Sequence, residues 1–580
     1  MTSISTQVYD GSYKDVDSWA FNQTYPDPLD KSSPALWLAS IKHTGLAGTK
    51  VELPAVSLVG TTYANRVDLD SDGLPKMNKY RLTAINTESG GTISTDYMGA
   101  DCNPTAKPNP ADNGTRCYPV RWTPNLGNTR DDWFVKYVAY QVSQLDRVGK
   151  TDKQVTTYDY EGAGAWAYDD DPLVQPEHRS WTRWRGYENV RVRKGDPADK
   201  DNPQSDTRYH YFRGMNGDRK TTTGGTKGVK IKDSRGVEVV DDDWLAGTVL
   251  ETTVYNGYTN GVDGPVISST ITESSVQGPT ATAGSLKAYY VRPGTTVERT
   301  AVTGGWRTTK KTVSYDKYGK ETQTEDLGDI DKSDDDQCVT TTYARNTGGD
   351  TYLIDPVSRV EKIGLPCGKP PVTGDDVVSD TKTSYDGGAW GDAPTAGSVT
   401  QVREISSFNN TLDRGYVADK TIDVDAYGRP KSVTDANKNV TKTVYSPEIG
   451  LTRTITETNP ANHVKVTSLN VVISQPVSIV DANGQTTNLE YDALGRLTAV
   501  WLPGRKKGSV GGPNVKYTYA VHNDAPTVVT TAKLRPNLTA PVEYALFDGF
   551  MRPRQMQQPT SIGGRMVTDT LYDSRGLVSR

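Results

Sequence analysis

The sequence predicts an all-β protein, and three observations lead to this fold class. Glycine (54 of 580 residues) and tyrosine (32) are abundant while phenylalanine (6) is scarce, a composition typical of strands and turns. Long segments with apolar residues three and four apart are hard to find, and residues 131–148, the nearest to a helix, are so β-branched and aromatic that we predict strands there. Finally, a short phrase that predicts a β-hairpin recurs through the C-terminal half.

That phrase is clearest in TTNLEYDALGRLTAVWLPGR, residues 486–505. An aspartate at the first position of a β-turn, here Asp492, can accept backbone N–H bonds, and a glycine at the fourth, here Gly495, can adopt the left-handed conformation. Apolar and polar residues alternate before and after this turn, as they do in strands with one buried face. The segment is therefore predicted to form one β-hairpin.

Imperfect copies of the phrase follow the same frame, and a second phrase, DANKNVTKTVY (435–445) and DANGQTTNLEY (481–491), alternates with it. Because a lone hairpin is marginally stable in water, such units are expected to stack side by side. The copy at Asp548 has Met551 where the others have glycine. The predicted turn residues are Tyr315, Asp316 and Gly319; Asp425, Gly428 and Arg429; Tyr491, Asp492, Gly495 and Arg496; Phe547 and Asp548; and Tyr572, Asp573 and Gly576.

The frame Tyr-Asp-x-x-Gly-Arg-Leu resembles the YD repeat of the RHS (rearrangement hotspot) family, most clearly over residues 310–580. Upstream segments such as WTRWRGYENVRVRKGD (181–196) and YHYFRGMNGDR (209–219) are similar to the region before the repeats in actinobacterial RHS proteins. The resemblance implies a coiled ribbon of YD-repeat hairpins that forms part of a hollow shell. In bacterial members and the related Tc toxin cocoon such a shell encloses a C-terminal toxin, and in teneurins a similar shell serves adhesion.

The resemblance is incomplete at the C-terminal side. The Asp-Pro-x-Gly-Leu signature of the family's core motif and its neighbouring self-cleavage carboxylates are missing, so we expect part of a shell wall and assign no autoprotease. Three regions are predicted: an N-terminal β region (1–150, a sandwich or a cap), a β-ribbon before the recognisable repeats (151–310) and a repeat-built shell segment (311–580).

Four cysteines fall into two locally plausible pairs. Cys102 and Cys117 bracket a turn-rich loop, and Cys338 and Cys367 bracket a second excursion, which predicts two disulfides and an oxidising compartment. The alternative is four separate buried thiols. The N-terminus lacks the features of a signal peptide, so the protein either stays inside the cell or is a piece of a longer secreted chain. The cysteines favour an extracellular or cell-surface location.

One segment raises the question of a metal. Asp68, Asp70 and Asp72 alternate and Gly73 follows, which is the opening of a calcium loop. The twelfth position is Lys79 instead of the closing glutamate, so an Asp-rich turn between strands is the favoured interpretation. No cofactor is required, and calcium is the one candidate ion.

Composition and motifs narrow the function classes. The net charge of −5 and the scattered basic residues argue against nucleic-acid binding, and a run of 18 apolar residues for a membrane span is absent. None of the five histidines lies in a catalytic motif. Trp181 and Trp184 in SWTRWRGY (180–187) form either a sugar platform or, as we favour, part of the sheet packing.

The leading hypothesis is a non-catalytic shell segment of a secreted or surface protein, whose partners are an enclosed C-terminal passenger (a polymorphic toxin) outside this chain and the remaining shell segments. The alternative is an extracellular adhesion or carbohydrate-binding module that contacts a cell-surface glycan or receptor. A carbohydrate-active enzyme is the least favoured class, although a glycosidase needs only two suitably separated carboxylates and leaves no local motif.

Overall fold

The computed structural model describes residues 1–67, 72–124, 127–199, 201–259, 261–284, 286–410 and 413–579. In these ranges the helices are four 3-10 turns of three residues each, Pro110–Asp112, Pro176–His178, Asp243–Leu245 and Gly374–Asp376. None of the helices in the described ranges is long and apolar enough to span a membrane. Strands make up the rest of the regular structure, as the composition predicts.

Forty strands follow one another in the described ranges. The first are β1 (Ser3–Tyr9), β2 (Tyr13–Thr24), β3 (Trp37–Gly45), β4 (Val51–Glu52), β5 (Val56–Tyr63), β6 (Lys79–Asn86), β7 (Gly91–Tyr97), β8 (Cys117–Trp122), β9 (Arg130–Val135), β10 (Ala139–Asp146), β11 (Gln154–Tyr168), β12 (Trp181–Lys194) and β13 (Gln204–Tyr211). They continue with β14 (Arg219–Thr221), β15 (Gly224–Thr226), β16 (Lys230–Lys232), β17 (Glu238–Val240), β18 (Val249–Thr259), β19 (Val262–Asp263), β20 (Val266–Ala283), β21 (Leu286–Val302), β22 (Gly305–Tyr315), β23 (Glu321–Asp329), β24 (Gln337–Tyr343), β25 (Val357–Ile363) and β26 (Val377–Tyr385). The last are β27 (Val399–Phe408), β28 (Arg414–Val424), β29 (Pro430–Asp435), β30 (Val440–Ser446), β31 (Thr454–Thr458), β32 (Val464–Asn470), β33 (Gln475–Val480), β34 (Thr486–Tyr491), β35 (Leu497–Trp501), β36 (Val515–Ala520), β37 (Thr527–Lys533), β38 (Val542–Phe547), β39 (Pro553–Pro559) and β40 (Arg565–Asp569).

Thirty-four of these strands form one antiparallel sheet whose order follows the chain. The ribbon runs β1–β2–β3–β5–β6–β7–β10–β11–β12–β13–β18–β20 and then through every strand from β20 to β40. The short strands β4 and β19 pair with β3 and β18, and three side hairpins (β8–β9, β14–β15 and β16–β17) form sheets of their own. The predicted all-β ribbon is confirmed, including strands instead of a helix at residues 131–148.

The sheet crosses both predicted region boundaries. The boundary near residue 150 falls in the connection between β10 and β11, which pair with each other, and the boundary near 310 falls inside β22. The N-terminal strands therefore belong to the same ribbon as the repeats. The division into three regions stays a prediction.

Antiparallel pairing makes the connections alternate between two edges of the ribbon. The turns that begin with Asp316, Asp425, Asp492, Asp548 and Asp573 all lie on one edge, here called the YD edge. The turns that begin with Asp435 and Asp481, which carry the second phrase, lie on the opposite edge, as do the connections β1–β2, β6–β7, β10–β11 and β12–β13. The two alternating phrases of the sequence therefore mark the two edges of the ribbon.

The ribbon coils so that the YD edge of its last part meets the opposite edge of its first part along a line that we call the seam. There, YD-edge turns of the last hairpins contact opposite-edge turns of the first strands, between residues 372 to 462 positions apart in the sequence. The contacts include an ion pair of Arg453 with Asp10, and hydrogen bonds from Ser89 Oγ to the Gly549 carbonyl (2.7 Å), from Gly549 N–H to Asp146 Oδ1 (2.9 Å) and from Asp196 N–H to Ser574 Oγ (2.9 Å).

The hydrophobic core lies where the side hairpins cover the ribbon. Ile231 of β16 packs with Phe212, Leu250 and Ile271, all of them buried. A second cluster unites buried aromatic residues of β11 and β12 with Ala111. Most side chains of the C-terminal ribbon are only half-buried. The wall there is a single layer, so hydrogen bonds at turns and along strands carry much of its stability.

Gly549 offers a test of the seam. A Cβ at this position would lie 2.5 Å from the backbone nitrogen of Gly91, and the φ angle of Gly549 is not positive, so a loss on substitution reports seam packing alone. We expect Gly549→Ala to reduce the free energy of unfolding by about 1–3 kcal/mol, measured by chemical denaturation. Gly305→Ala, where a Cβ meets no atom within 4 Å, is the control. Equal unfolding midpoints for both variants would contradict the seam.

Candidate functional site

The Asp492 turn shows how the repeat phrase closes a hairpin. The N–H of Gly495 donates to the Asp492 carbonyl (2.9 Å), which completes the β-turn, and Gly495 has the left-handed φ of 73°. Asp492 Oδ1 accepts from the N–H groups of Leu494 and Arg496, each at 3.0 Å. One carboxylate oxygen thus satisfies two donors that the reversal of the chain would otherwise leave unpaired.

The arginine of the phrase joins this turn to the next hairpin. Arg496 Nε donates to Asp492 Oδ2 (2.7 Å), and the guanidinium lies over the ring of Tyr519, 4.5 Å from its centroid. The Tyr519 hydroxyl in turn donates to the Leu497 carbonyl (2.8 Å). The residues of Tyr-Asp-x-x-Gly-Arg therefore act together. The aspartate closes its own turn, and the arginine stacks on a tyrosine of the second strand after that turn.

Two further copies repeat this geometry. Arg429 Nε donates to Asp425 Oδ2 (2.6 Å) and lies over Tyr445 at 4.3 Å. Arg552 Nε donates to Asp548 Oδ2 (2.7 Å) and lies over Tyr572 at 4.2 Å. The unit therefore consists of an aspartate, an arginine four residues later, and an aromatic ring from the following hairpin.

Where the phrase lacks its arginine, another arginine occupies the same place. Asp316 is followed by Lys320, and Arg345, from the connection after β24, pairs with Asp316 and lies over Tyr343 (4.5 Å). At the last copy Leu577 stands in the arginine position, and Arg575 Nε donates to Asp573 Oδ2 at 2.9 Å. The pair of carboxylate and guanidinium is maintained although the sequence position of the arginine changes.

Met551 is the one departure at the glycine position among the predicted YD turns. It adopts the left-handed φ of 61°, which a side chain resists. The glycine of this turn is instead Gly549, whose carbonyl accepts from Thr87 and Ser89 across the seam (3.0 and 2.7 Å). Contact at the seam leaves no room for a side chain at residue 549, so the second position of this turn is glycine.

Sequence reasoning missed three turns of the same kind. Asn459 accepts from the N–H groups of Ala461 and His463 (3.0 and 2.9 Å), so an amide oxygen replaces the carboxylate. Asp386 follows a tyrosine and accepts from four N–H groups at the far end of the insertion 387–397. Asp233 begins the same four residues, DSRG, as Asp573, and forms the same turn in a side hairpin. Two of these turns had a signal in the sequence: the dipeptide Tyr-Asp at Asp386, and at Asp233 the four residues DSRG, which recur at residues 573–576.

The environment of Asp316 and Asp573 lowers the proton affinity of their carboxylates. Burial alone would raise the pKa of Asp573, but hydrogen bonds from Arg575 and from the N–H groups of residues 575 and 577 outweigh it, and the pKa lies below its usual value. The same balance, with N–H donors at residues 318 and 320 and the Arg345 side chain, lowers the pKa of Asp316. Burial also raises the pKa of the Tyr519 hydroxyl. The turn aspartates Asp316 and Asp573 are therefore held as carboxylates.

Both predicted disulfides are present. Cys102 and Cys117 are joined with a Cα–Cα distance of 6.0 Å, and Cys338 and Cys367 with one of 5.0 Å, so the alternative of four separate thiols is wrong. Asp101 lies beside the first bridge, the one metal-like cluster among the described residues. Sulfurs joined in a disulfide cannot act as thiolate ligands, so Cys102 and Cys117 form a structural cross-link and not a metal site.

The predicted calcium ligands Asp68 and Asp70 lie outside the described residues. Asp72 is described: its carboxylate pairs with the buried Arg66 and with Arg130 (3.2 Å) and accepts from Leu74 N–H (3.0 Å). Two guanidiniums compete with any cation for this carboxylate. Calcium stays a prediction.

One cavity of about 480 Å³ bears on the enzyme hypothesis, because Glu188 and Glu251 both line it. Glu188 pairs with His210 (3.2 Å) and Arg213 (2.8 Å), and the hydrogen bond from His210 lowers its pKa. A glycosidase acid needs a raised pKa, so Glu188 has the opposite character. Glu251 accepts from Ser269 and from Ser234 N–H (2.8 Å), which ties strands to a side hairpin. The arrangement is that of a structural polar cluster.

Comparison with known proteins follows this geometry. Residues 475–502, which contain the second phrase and the Asp492 hairpin, match the RHS repeat. Among solved structures, the chain is similar to TcdB2–TccC3–Cdc42 (TM-score 0.58, 11% identity, 97% of this chain and 40% of that chain). It is equally similar to TcdB2–TccC3 without its hypervariable C-terminal region (0.58, 11%, 97% and 40%) and to a Photorhabdus luminescens Tc holotoxin pore with a mutated TccC3 (0.58, 11%, 96% and 36%).

A comparison with curated protein sequences gave no match. The strand pairing, the turns and the seam define a coiled antiparallel β-ribbon. The chain carries an RHS repeat at residues 475–502, and its fold is similar to that of the TcdB2–TccC3 structures. It spans about two-fifths of the length of the chains that it matches, 40% in the first of them.

Met551 gives a test of the turn. We expect Met551→Gly to raise the free energy of unfolding by roughly 1 kcal/mol, because the left-handed strain disappears and the exposed side chain contributes little burial. The reciprocal change Gly495→Ala, where a Cβ meets no atom within 4 Å but φ is positive, should lower it by a similar amount. Denaturant unfolding of both variants checks this. A less stable Met551→Gly protein would contradict the strain.

The lowered carboxyl pKa values predict acid sensitivity. A carboxyl whose pKa is lower in the folded state stabilises the fold above its unfolded pKa of about 4, and that contribution disappears as the pH falls through the folded value. The melting temperature should therefore decrease between pH 5 and pH 2. Asp573→Asn should be less stable at pH 7 and should lose less on acidification. Parallel pH profiles for both proteins would rule out this role of Asp573.

Proposed function

We propose that this chain is a wall segment of a shell, in a secreted or surface RHS-repeat protein, that encloses a passenger polypeptide lying outside this sequence. The single observation that carries the proposal is the seam. A ribbon whose edges meet after one coil separates two faces of a sheet, and the face inside can keep a polypeptide from solvent and proteases.

The distribution of seam contacts supports further shell segments as partners. The seam joins YD-edge turns from Arg453 onward to opposite-edge turns as far as Asn202. Turns farther along the opposite edge, such as the one after Asp435, carry the same carboxylate chemistry. Additional coils from elsewhere in a longer protein would continue the seam there.

The matched structures suggest the kind of passenger. One of them is TcdB2–TccC3 without its hypervariable C-terminal region, and another is a Tc holotoxin pore. We infer by analogy that the passenger here is a C-terminal toxin. The role of residues 1–580 is then mechanical: the wall carries out no chemistry, and its polar cavities and turns hold the ribbon in its coil.

Protease protection tests the enclosure. The full-length parent protein is digested with proteinase K alongside a variant lacking residues 1–580, and the fate of the segment after residue 580 is followed by mass spectrometry. We expect this segment to survive only when the wall is present, because the coil excludes the protease.

A second variant distinguishes a passenger that is enclosed by the wall from one that is only attached to it. Gly549→Glu places a charged side chain in the seam and should expose the passenger, whereas Gly305→Glu, on an open strand position, should not. Circular dichroism confirms that both variants retain the β fold. Digestion of the passenger at the same rate with and without the wall would overturn the proposal.

A further inference from the structure

A groove of about 620 Å³ lies at the YD edge, outside the turns and the seam. Its walls come from the ends of β11 and β12, from the segment between β13 and β18 that carries two side hairpins, and from the far end of the β20–β21 hairpin, which reaches over them. This volume lies within the range of about 300–1,000 Å³ of small-molecule sites. Three separate parts of the chain thus build one open cleft.

Two aromatic rings form one wall of the groove. Trp244 and Tyr289 pack with their centroids 4.5 Å apart, and Trp244 keeps 38% of its surface exposed. They are not the aromatic residues that the sequence suggested: Trp181 is buried (4% exposed) and Trp184 packs against Trp166. Trp244 directly follows the acidic run VDDD (240–243).

Facing groups of opposite charge form the floor. Arg185 pairs with Asp243, Arg183 lies 3.7 Å from Asp243, and Arg183 also lies 3.5 Å from Asp170. The Arg185 side chain is only 8% exposed, yet its Nε–H has no acceptor among the described residues. The Asp243 side chain, in contrast, is 59% exposed. The floor therefore presents the accessible carboxylates of Asp243 and Asp170 beside the accessible Arg183 guanidinium, while the Arg185 side chain is buried.

We propose that this groove binds an oligosaccharide. Neighbouring sugar hydroxyls both donate and accept, so one can donate to Asp243 or Asp170 while the next accepts from Arg183. The aromatic wall suits the apolar C–H face of a sugar ring. Carboxylates interleaved with guanidiniums disfavour a strongly anionic ligand, and the polar floor disfavours a lipid. This binding function is additional to the shell and does not depend on a passenger.

A binding titration tests the site. The protein is titrated with malto-, cello-, chito-, xylo- and laminarihexaose, and binding is followed by calorimetry and by tryptophan fluorescence. We expect at least one hexaose to bind with a Kd of 1 mM or tighter. Trp244→Ala and Asp243→Asn should each weaken that binding at least tenfold, because one removes the aromatic wall and the other a charged acceptor.

The control is Trp306→Ala. Trp306 has the same 38% exposure as Trp244 but lies beside Arg299, outside the groove, so its removal should leave the Kd unchanged. If none of the hexaoses binds tighter than 10 mM, or if Trp306→Ala weakens binding as much as Trp244→Ala, the groove is not the site and the proposal fails. Circular dichroism of each variant shows that a lost affinity is not a lost fold.

Discussion

The aspartate at the start of each repeat turn is the interaction on which this structure depends. A ribbon one layer thick buries few side chains completely, so it cannot rely on a core to specify where each strand ends. The carboxylate does so locally, because it accepts N–H bonds from the second and fourth residues after it, as Asp492 does. Hydrogen bonds to a charged group contribute more than neutral ones, about 1.5–3 kcal/mol each.

The arginine converts these local turns into a continuous wall. Arg429, Arg496 and Arg552 each bind the aspartate of their own turn and lie over a ring of the next hairpin, so these units are coupled to their neighbours. Stability in such an array is close to a sum of unit and nearest-neighbour contributions. The substitution of Arg345 for an arginine at position 320 shows that the coupling, and not the residue position, is maintained. Degenerate copies of the phrase can therefore retain the complete interaction.

Much of this arrangement could be predicted from the sequence, because its chemistry is local. The Asp492 turn, its glycine and the alternation of its strands are all encoded within sixteen residues, and both disulfides close short loops. The seam could not be predicted: Ser89 and Gly549 are 460 positions apart, and nothing near either residue identifies the other. The groove was missed for the same reason, since Trp244 and Tyr289 meet only when the β20–β21 hairpin reaches over the side hairpins. Asp233 shows a further limit of sequence-based prediction. The residues DSRG signal the turn correctly, but they do not tell whether its hairpin belongs to the ribbon or forms a side hairpin.

The same hydrogen bonds to the aspartate carboxylate explain how the wall tolerates connections of different lengths between its strands. At Asp386 the eleven residues 387–397 take the place of the three residues between Asp492 and Arg496, yet the N–H of Ser398 still donates to the carboxylate (2.9 Å), and β26 and β27 remain paired. The aspartate thus fixes where the returning strand begins whatever the length of the connection, and a one-residue slip, which would turn each side chain to the other face, is avoided. Connection length varies at the seam as well, because Arg453, which pairs with Asp10, lies in the seven-residue connection 447–453 between β30 and β31. What contact at the seam restricts is the side chain: a Cβ at Gly549 would collide with the backbone of Gly91, so this position of the turn accepts only glycine.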